Sequence, residues 1–298
     1  MADLSRISTV LTPSLIRMHL TTLSRQIAAT PLARAAALPV RLATVARHNA
    51  RVLKRSGTWL VRSREHSCFT YDLEASNHDH LCWFVSNVTG APVRSVRGYV
   101  REAEGDTELR QTLNAGLAGS VRSGTCDHQV RYGRRVAYYA LVRALGPEHV
   151  VEAGPHRGIS STLIAAALLR NGRGRLTTVD IDPRAGELVS GPYRQVVDQM
   201  IGDSVEILGS PQVHERGVDM VLLDTSVGPE HEDAELMAVA PALTEQAVAL
   251  SSRSHAWPCL ARWSEEHGRR FLHFDDRPRD HWHPGNGFGV SFPLSAPV

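Results

Sequence analysis

The stretch Val150-Val-Glu-Ala-Gly-Pro-His-Arg-Gly-Ile-Ser160 reads as an apolar strand that breaks at a glycine turn and continues into a helix. Gly154 and Gly158 allow the backbone of this turn to approach a ligand closely. The start of the following helix offers free backbone N–H groups and the positive end of a dipole. Ligands of doubly wound sheets bind at the carboxyl ends of the strands. The stretch therefore predicts a ligand site at the first strand of such a sheet.

Beyond Glu148, short apolar strands alternate with helical stretches. This alternation predicts an α/β fold, a doubly wound and mostly parallel seven-stranded sheet of the Rossmann-like type, preceded by an N-terminal helical region. An irregular loop separates the last two strands, so we expect the final strand to run antiparallel at the end of the sheet. The predicted strands are His149–Ala153, Arg175–Ile181, Val196–Ile201, Val218–Asp224, Ala247–Ser251, Arg270–Phe274 and Gly287–Phe292, with helices at about 160–171, 204–208, 230–243 and 258–267.

Polar or glycine residues follow four successive predicted strands. Gly154 follows the first strand, Asp180 the second, Asp203 the third and Asp224 the fourth, which places all of them at one edge of the sheet. A carboxylate at the end of the second strand can accept hydrogen bonds from two ribose hydroxyls. Dinucleotide folds carry a second glycine where Pro155-His156 stands here, so the pattern favours a smaller ligand that bears a carboxylate.

With these motifs, the segment from about Arg131 to Phe292 resembles a class I S-adenosylmethionine-dependent methyltransferase, nearest to small-molecule O-methyltransferases. The resemblance implies S-adenosylmethionine as the cofactor and a seven-stranded sheet whose last strand is antiparallel. It implies that Asp180 binds the ribose and that Asp224 lies beneath the sulfonium and the acceptor. The resemblance implies that Glu152, Gly154, Gly158 and Ser160 surround the methionine and that Asp203 and Ser204 border the adenine. The predicted cofactor set is Glu152, Gly154, Pro155, His156, Gly158, Ser160, Asp180, Ile181, Asp203, Ser204 and Asp224.

Methyl transfer to a hydroxyl needs positioning together with a general base or a metal. Metal-dependent catechol-type relatives carry a Lys three residues after the fourth-strand acid, where Val227 stands here, and no acid follows the fifth strand. We therefore expect a histidine base rather than a metal. His231 ranks first, and His255 and His281 follow it, with Asp224 as the fourth predicted catalytic residue.

A metal site stays open as a less favoured alternative. His281 and His283 could place two imidazoles on one side of a strand, with Asp224, Asp275 and Asp276 as further ligands. We predict no metal ligand, and a divalent cation is not favoured. Two arginines, Arg157 and Arg253, are alternative clamps for an acidic substrate.

The charge distribution divides the chain. Between Leu4 and Arg64 there are eleven Lys or Arg residues and no Asp or Glu, whereas Glu65 to Val298 carries a net charge of −8. We predict a basic helical arm over residues 1–56, made of short amphipathic helices around Leu11, Leu15, Ile16, Met18 and Leu23 and interrupted by Pro13, Pro31 and Pro39. Residues 57–130 should form a helical cap for substrate binding or dimerisation, and 131–298 the cofactor-binding domain.

Within the helical cap, two helices are predicted, and a turn at Gly90-Ala-Pro92 separates them. The first begins at a cap formed by Asn77, and the second includes Glu108–Leu113. A glycine- and serine-rich joint follows at 115–124, and a further helix spans Arg134–Leu145.

Composition narrows the class of protein. Apolar residues make up 42% and charged residues 21% of the 298 residues, which excludes a collagen, a rod and a disordered chain. The four cysteines form no paired motif, and no apolar run spans a bilayer. We therefore expect a cytoplasmic protein without a transmembrane segment, with an organellar transit peptide as an alternative for its Arg- and Ser/Thr-rich start.

The leading functional hypothesis is methyl transfer to a hydroxyl of a small molecule, such as a secondary metabolite, with an amine as the second choice. We expect a homodimer, and nucleic acid is not the favoured partner. Two alternatives stay open: an RNA or protein methyltransferase, suggested by the basic arm, and a repurposed fold such as a cyclase or scaffold that binds the cofactor without transferring its methyl group.

Overall fold

Seven strands form the central sheet of the computed structural model, which describes residues 31–66 and 68–294. Their order across the sheet is β3-β2-β1-β4-β5-β7-β6. The predicted fold class, a doubly wound and mostly parallel seven-stranded sheet with helices before it, is confirmed. The strands are β1 His149–Ala153, β2 Arg175–Asp180, β3 Val197–Ile201, β4 Val218–Leu223, β5 Leu243–Ser251, β6 Arg270–Phe274 and β7 Phe288–Phe292.

The register of the sheet shows where the direction of the chain changes. Val151 of β1 pairs in parallel with Thr177 of β2 and Val221 of β4. β7 pairs antiparallel with both β5 and β6, so it lies between them and β6 forms the edge. The expectation of an antiparallel last strand is correct, but its place at the end of the sheet is wrong, because β7 returns through the irregular loop into the gap beside β5.

Eleven α-helices accompany the sheet in the described part of the chain. Short 3-10 helices at Ser123–Thr125, Gly133–Arg135, Gly191–Val196 and Ala240–Ala242 join some of them. The α-helices are α1 Pro31–Ala36, α2 Leu38–Arg62, α3 Ala75–Thr89, α4 Val93–Gly105, α5 Thr107–Gly119, α6 Val136–Leu145, α7 Ile159–Asn171, α8 Ser204–Leu208, α9 Pro211–His214, α10 Pro229–Val239 and α11 Cys259–Glu266.

Alternate residues of the strands enter two separate cores, because successive side chains of a strand point to opposite faces. Val150 and Leu222 pack with α3, α4, α6 and α7 on one face. Val151 and Val221 pack on the other face, against α10 and α11. The strands are therefore apolar on both sides, as in a parallel sheet covered on both faces.

The helices before the sheet differ in detail from the sequence expectation. The turn at Gly90 ends α3, but a third helix, α4, follows it, and α5 runs on through half of the predicted joint. Asn77 is not a cap: its amide donates to the carbonyl of Asp275 and its oxygen accepts from the N–H of Arg277. The polar side chain therefore fastens α3 to the loop before β7.

The helix α2 is longer than the short helices predicted for this segment. Pro39 lies in its first turn, where a missing N–H is tolerated, so it does not interrupt the helix. Pro31 is the first of the described residues. Pro13 and the apolar positions Leu11, Leu15, Ile16, Met18 and Leu23 lie outside the described residues. None of the described helices is long and apolar enough to cross a membrane.

The described part of the chain divides into two compact units at Thr58 and Trp59. The first unit contains α1 and most of α2. The second, from Trp59 onward, contains the helices α3–α6 and the whole sheet. The roles predicted for 57–130 and 131–298 stay predictions.

Candidate active site

Two glycines shape the turn after β1. Gly154 has φ +79°, and a Cβ there would lie 2.7 Å from the carbonyl oxygen of Asp224. Gly158 has φ +94°, and a Cβ there would lie 2.9 Å from the Cα of Gly186. Because both neighbours are backbone atoms, a side chain at either position would have to displace the chain itself.

Glu152 supports this turn from inside the protein. The carboxylate is fully buried and accepts hydrogen bonds from Ser160 Oγ and, at 2.5 Å, from Ser161 Oγ, both in the first turn of α7. Burial raises the pKa of Glu152 to about 7, although the two serine hydrogen bonds act in the opposite direction. Glu152 and Ser160 thus join β1 to α7 beneath the turn and do not point into open space.

A cavity of about 540 Å³ runs along the carboxyl edge of the sheet. This volume lies in the range of small-molecule sites. Seven of the eleven predicted cofactor residues line it, namely Gly154, His156, Asp180, Ile181, Asp203, Ser204 and Asp224. The other four, Glu152, Pro155, Gly158 and Ser160, are buried around the β1–α7 turn and shape it from behind.

One end of the cavity, here called the β2–β3 end, is formed by Asp180, Ile181, Gly202, Asp203 and Ser204. The Oδ1 of Asp180 accepts the N–H of Asp182 at 2.9 Å, and the Oδ1 of Asp203 caps α8 by accepting two N–H groups. Oδ2 of either carboxylate accepts no hydrogen bond from any described residue. Both aspartates therefore keep a free acceptor for a ligand.

The opposite end, here called the β7 end, is formed by Phe69, Tyr71, Arg134, His283 and Asn286. Tyr71 stacks on His283 with ring centres 6.3 Å apart, and Phe69 lies 5.2 Å from the same imidazole. These rings give the cavity an apolar wall that contains few free polar atoms.

Buried bonds hold this wall in place. The hydroxyl of Tyr71 donates to Oδ2 of Asp276 at 2.5 Å, and the N–H of Gly287 donates to Oδ1 of the same carboxylate. Burial raises the pKa of Tyr71 far above its usual range, so the phenol stays protonated and keeps donating. The loop that carries His283 is thereby fixed to the segment that carries Tyr71.

Arg134 is a cavity residue that the sequence analysis did not single out. Its guanidinium forms no ion pair in the described part of the chain, although it lines the cavity with Asp224. Burial opposes its charge, but the nearby Tyr138, Tyr71, Asp224 and Asp276 outweigh burial and raise the pKa of Arg134. Arginine is so frequent in this sequence that no pattern distinguished this one.

Asp224 lies in the middle of the cavity, directly after β4. Its backbone N–H donates to the carbonyl of Ala153 at 2.9 Å, which sets it beside the β1 turn. Its Oδ1 accepts a hydrogen bond from Ser252 Oγ, at the end of β5. The predicted catalytic carboxylate is thus held between the two ends and faces the cavity.

His231 lines the cavity near the β2–β3 end. Its Nε2 lies 2.9 Å from Ser204 Oγ and 3.3 Å from Oε1 of the buried Glu235. Ser204 and Thr225 both donate to that carboxylate, at 2.5 and 3.0 Å. The ring is therefore part of a network around the start of α8 and α10, on the side of the cavity away from Phe69.

The other predicted bases do not line the cavity. His255 is largely exposed, and partial desolvation of its ring lowers its pKa. His281 is buried, and its Nε2 lies 3.2 Å from Oε2 of Glu65, while its Nδ1 accepts the N–H of His283. His283 does line the cavity, and its Nδ1 accepts the N–H of Gly285, so Nε2 carries the proton of the neutral ring.

The two arginines considered as anion clamps have different surroundings. Arg157 is 1% exposed and pairs with Glu187 at 2.8 Å, so it belongs to the protein interior and not to the cavity. Arg253 lines the cavity, where it donates to the carbonyl of Thr225 and to Ser226 Oγ.

No group of three or more His, Cys, Asp or Glu residues within 31–66 and 68–294 is arranged to hold a metal ion. Asp276 is fully buried and already binds Tyr71 and Gly287. His281 is likewise engaged with Glu65. Two of the residues considered as metal ligands thus have other partners.

Residues 151–251 match the family model of a methyltransferase domain. A search of curated proteins finds no match. The chain is similar to an O-methyltransferase, TomG from Streptomyces achromogenes. TomG is involved in tomaymycin synthesis, and its structure was solved in complex with S-adenosylmethionine. The two sequences are 17% identical, the match covers 62% of this chain and 90% of that chain, and the TM-score is 0.46. A methyltransferase from Geobacter sulfurreducens is 18% identical over 54% and 78% of the two chains, with a TM-score of 0.42.

Proposed function

We propose that this chain, an S-adenosylmethionine-dependent methyltransferase of class I by its matched domain and its sheet, methylates a hydroxyl group of a small molecule. The matched methyltransferase domain supports the predicted enzyme class, and the cofactor and the acceptor belong to the proposal. The observation that carries the proposal is the two-ended cavity with Asp224 at its centre and an unpaired guanidinium, Arg134, beside it.

The β2–β3 end and the β1 turn suit the cofactor. Free carboxylate oxygens of Asp180 and Asp203 can accept hydrogen bonds from ribose and adenine groups. Exposed Ile181 offers an apolar surface to a planar base. Arg135 lines the cavity and acts electrostatically on Glu152 and His156, so it lies where it could pair with a ligand carboxylate. The eleven predicted cofactor residues remain the proposed set.

The β7 end suits the acceptor. Phe69 and Tyr71 offer ring faces to an apolar body, while Asn286 and the Nε2–H of His283 can bind its polar groups. Asp224 can accept a hydrogen bond from the acceptor hydroxyl. The positive charge of Arg134 beside Asp224 favours the ionised form of that hydroxyl, the task that a metal performs in other enzymes.

The bound cofactor supplies an electrophilic methyl group on a positively charged sulfur. The chain's residues align the acceptor oxygen with that methyl group, and Asp224 accepts the proton of the acceptor hydroxyl. As the proton leaves, a bond forms between the oxygen and the methyl carbon, and the bond between that carbon and the sulfur breaks. Arg134 stabilises the negative charge that develops on the oxygen. We place His231 at the β2–β3 end, with the cofactor. His255 and His281 remain proposed proton carriers, although neither side chain lines the cavity.

Methyl transfer to a panel of hydroxylated and amino metabolites tests the proposal, with mass spectrometry of products with and without chelator. We expect a mass gain of one methyl group on a hydroxyl, unaffected by the chelator. Exclusive methylation of RNA or protein would contradict the small-molecule acceptor. Cofactor binding with no transfer to any of these substrates would favour a repurposed fold. A cytoplasmic location and a homodimer stay proposals beside it.

A further inference from the structure

The helix α2, Leu38–Arg62, has no part in the cavity and no buried side chain. Its first 21 residues, up to Thr58, belong to the first compact unit. Pro39 is accommodated in the first turn of the helix, so α2 does not break into the short pieces expected from the sequence. From Leu38 to Arg55 every side chain of this helix is exposed, so this part of α2 must either interact with something or remain bare.

One side of α2 is apolar. Each residue turns the helix by about 100°, so Leu38, Leu42, Val45, Val52 and Leu53 fall within an arc of roughly 100°. Each of these five side chains is exposed, from 41% for Val52 to 70% for Leu53. Large aliphatic side chains at that exposure gain free energy when an apolar phase covers them.

The opposite side of α2 is basic. Arg47, Arg51, Lys54 and Arg55 fall within a second arc of about 100°, centred on the far side of the helix from Leu38. No Asp or Glu occurs anywhere from Leu4 to Arg64, so no acidic side chain of this segment neutralises them. The helix therefore carries an apolar face and an unneutralised cationic face.

This combination distinguishes between possible partners. Nucleic acid would attract the cations but leave five aliphatic side chains in water. A second copy of α2 could cover the aliphatic face but would leave both cationic faces on the outside of the pair, with no acid of this segment to neutralise them. An anionic bilayer satisfies both faces, because its acyl region takes the aliphatic side chains and its headgroups attract the cations.

We propose that α2 lies in the surface of a membrane that contains anionic lipids and holds the enzyme there as a peripheral protein. The proposal does not depend on the acceptor or on methyl transfer. The helix lies parallel to the surface with Leu42 and Leu53 inserted among the acyl chains and with Arg47 and Arg51 at the phosphates.

Cosedimentation of the full chain with vesicles tests this interaction. The vesicles contain phosphatidylcholine alone or an equal mixture of phosphatidylcholine and phosphatidylglycerol. We expect the protein to sediment with the mixed vesicles at low salt, to be released by high salt, and to stay in solution with phosphatidylcholine alone. Each cation near an anionic surface adds about fivefold to the partition, so the contrast between the two lipids should be large.

Two double variants separate the faces of the helix. Leu42→Ser with Leu53→Ser removes aliphatic surface, and Arg47→Gln with Arg51→Gln removes two charges; each should lower the partition at least roughly tenfold. The matched control, Met237→Ser with Arg194→Gln, changes exposed residues outside the helix and should sediment like the wild type. Circular dichroism and calorimetry with S-adenosylmethionine verify that every variant is folded and binds the cofactor.

Three outcomes would overturn the proposal. The first is a wild-type chain that stays in solution with the mixed vesicles. The second is a lipid-free dimer that the Leu42→Ser/Leu53→Ser variant dissociates, since a second copy would then cover the apolar face. The third is RNA binding that needs Arg47 and Arg51 but not the leucines, without retention on vesicles. Loss of cofactor binding would count against the proposed function and not against the membrane interaction.

Discussion

The two ends of the cavity are built in different ways. At the β2–β3 end, both aspartates are held by backbone within three residues of them, as Asp180 is by the N–H of Asp182. At the β7 end, the holding contacts join distant parts of the chain, as the Tyr71–Asp276 bond does across 205 positions. The first end can keep its shape while the sequence around it varies. The second end can change its specificity while the sheet is unchanged.

The difference has a functional meaning. A cofactor that is the same in every turnover suits an end formed by strand ends, where backbone sets the geometry. An acceptor that differs between enzymes suits an end formed by side chains from separate segments. Variants at the two ends should therefore separate cofactor binding from turnover.

The largest effect is expected for Gly154→Ala, at the turn that both ends share. The new Cβ would press on the carbonyl of Asp224. This overpacking costs about 1–3 kcal/mol of free energy, and the positive φ of the alanine costs about 1 kcal/mol more. We expect cofactor affinity to fall by at least roughly 100-fold in calorimetry.

The matched control is Gly172→Ala. Gly172 also has positive φ, +67°, but a Cβ there meets nothing within 4 Å. This variant should lose about 1 kcal/mol of stability and keep its cofactor affinity. Equal affinity in the two alanine variants would mean that the turn does not shape the cofactor site.

The next effect is expected at the β7 end. Arg134→Met should lower kcat about 100-fold, because one preorganised group that stabilises the oxyanion is lost. The rising limb of the kcat profile should move to higher pH, because the acceptor hydroxyl then ionises less readily. Cofactor affinity should stay within about twofold.

Arg131→Met serves as the control for Arg134. Arg131 is exposed three residues earlier and has one long ion pair, 3.9 Å to Asp72. Its removal should leave the pH profile in place. An unshifted profile in Arg134→Met would show that Arg134 acts on structure and not on the acceptor oxygen.

Between the ends, Glu152→Gln tests the buried support of the turn. Folding raises the pKa of this carboxyl from near 4.5 to about 7. Between these two pH values the native state keeps the proton while the unfolded chain ionises. The contribution of Glu152 to stability is therefore lost as pH rises from 4.5 to 7. Glutamine does not ionise. Relative to wild type, the variant should therefore gain up to about 3 kcal/mol in that interval, measured by urea unfolding.

Glu245→Gln is the control for this pH dependence, because Glu245 is exposed. Its effect on stability should be small and equal at pH 4.5 and pH 8. A stability difference between wild type and Glu152→Gln that does not change with pH would contradict a protonated Glu152 in the folded protein.

The smallest effect is expected for Asp180→Asn. The amide oxygen can still accept the N–H of Asp182, so the turn keeps its shape while the charge-assisted bond to a ribose hydroxyl is weakened. Cofactor affinity should fall about tenfold, with kcat at saturation unchanged. The control is Asp198→Asn, which alters an exposed ion pair with Arg175 outside the cavity and should leave cofactor affinity and kcat unchanged. A similar loss of cofactor affinity in both variants would show that Asp180 does not bind the cofactor.

The same contrast explains what the sequence could predict. Strand periodicity and the residues at strand ends lie close together in the chain, so the sheet and Gly154, Asp180, Asp203 and Asp224 were all predictable at the cavity edge. The β7 strand was placed at the wrong position, because no local pattern encodes which neighbour an antiparallel strand chooses.

The β7 end was not predictable for a related reason. Phe69, Tyr71 and Arg134 reach the cavity only through helix packing and the buried bond to Asp276. The sequence places His231, His255 and His281 at the predicted ligand edge, yet partners such as Glu65 decide where His281 points. Long-range partners of this kind leave no spacing signal in one sequence.

The most direct test of the central claim is calorimetric titration of the full chain with S-adenosylmethionine and, separately, with NAD. We expect one S-adenosylmethionine molecule to bind per chain. Asp180→Asn should lower this affinity about tenfold, and Arg134→Met should leave it unchanged. NAD should give no binding heat. Failure of the wild-type chain to bind S-adenosylmethionine, or tighter binding of NAD, would contradict the account.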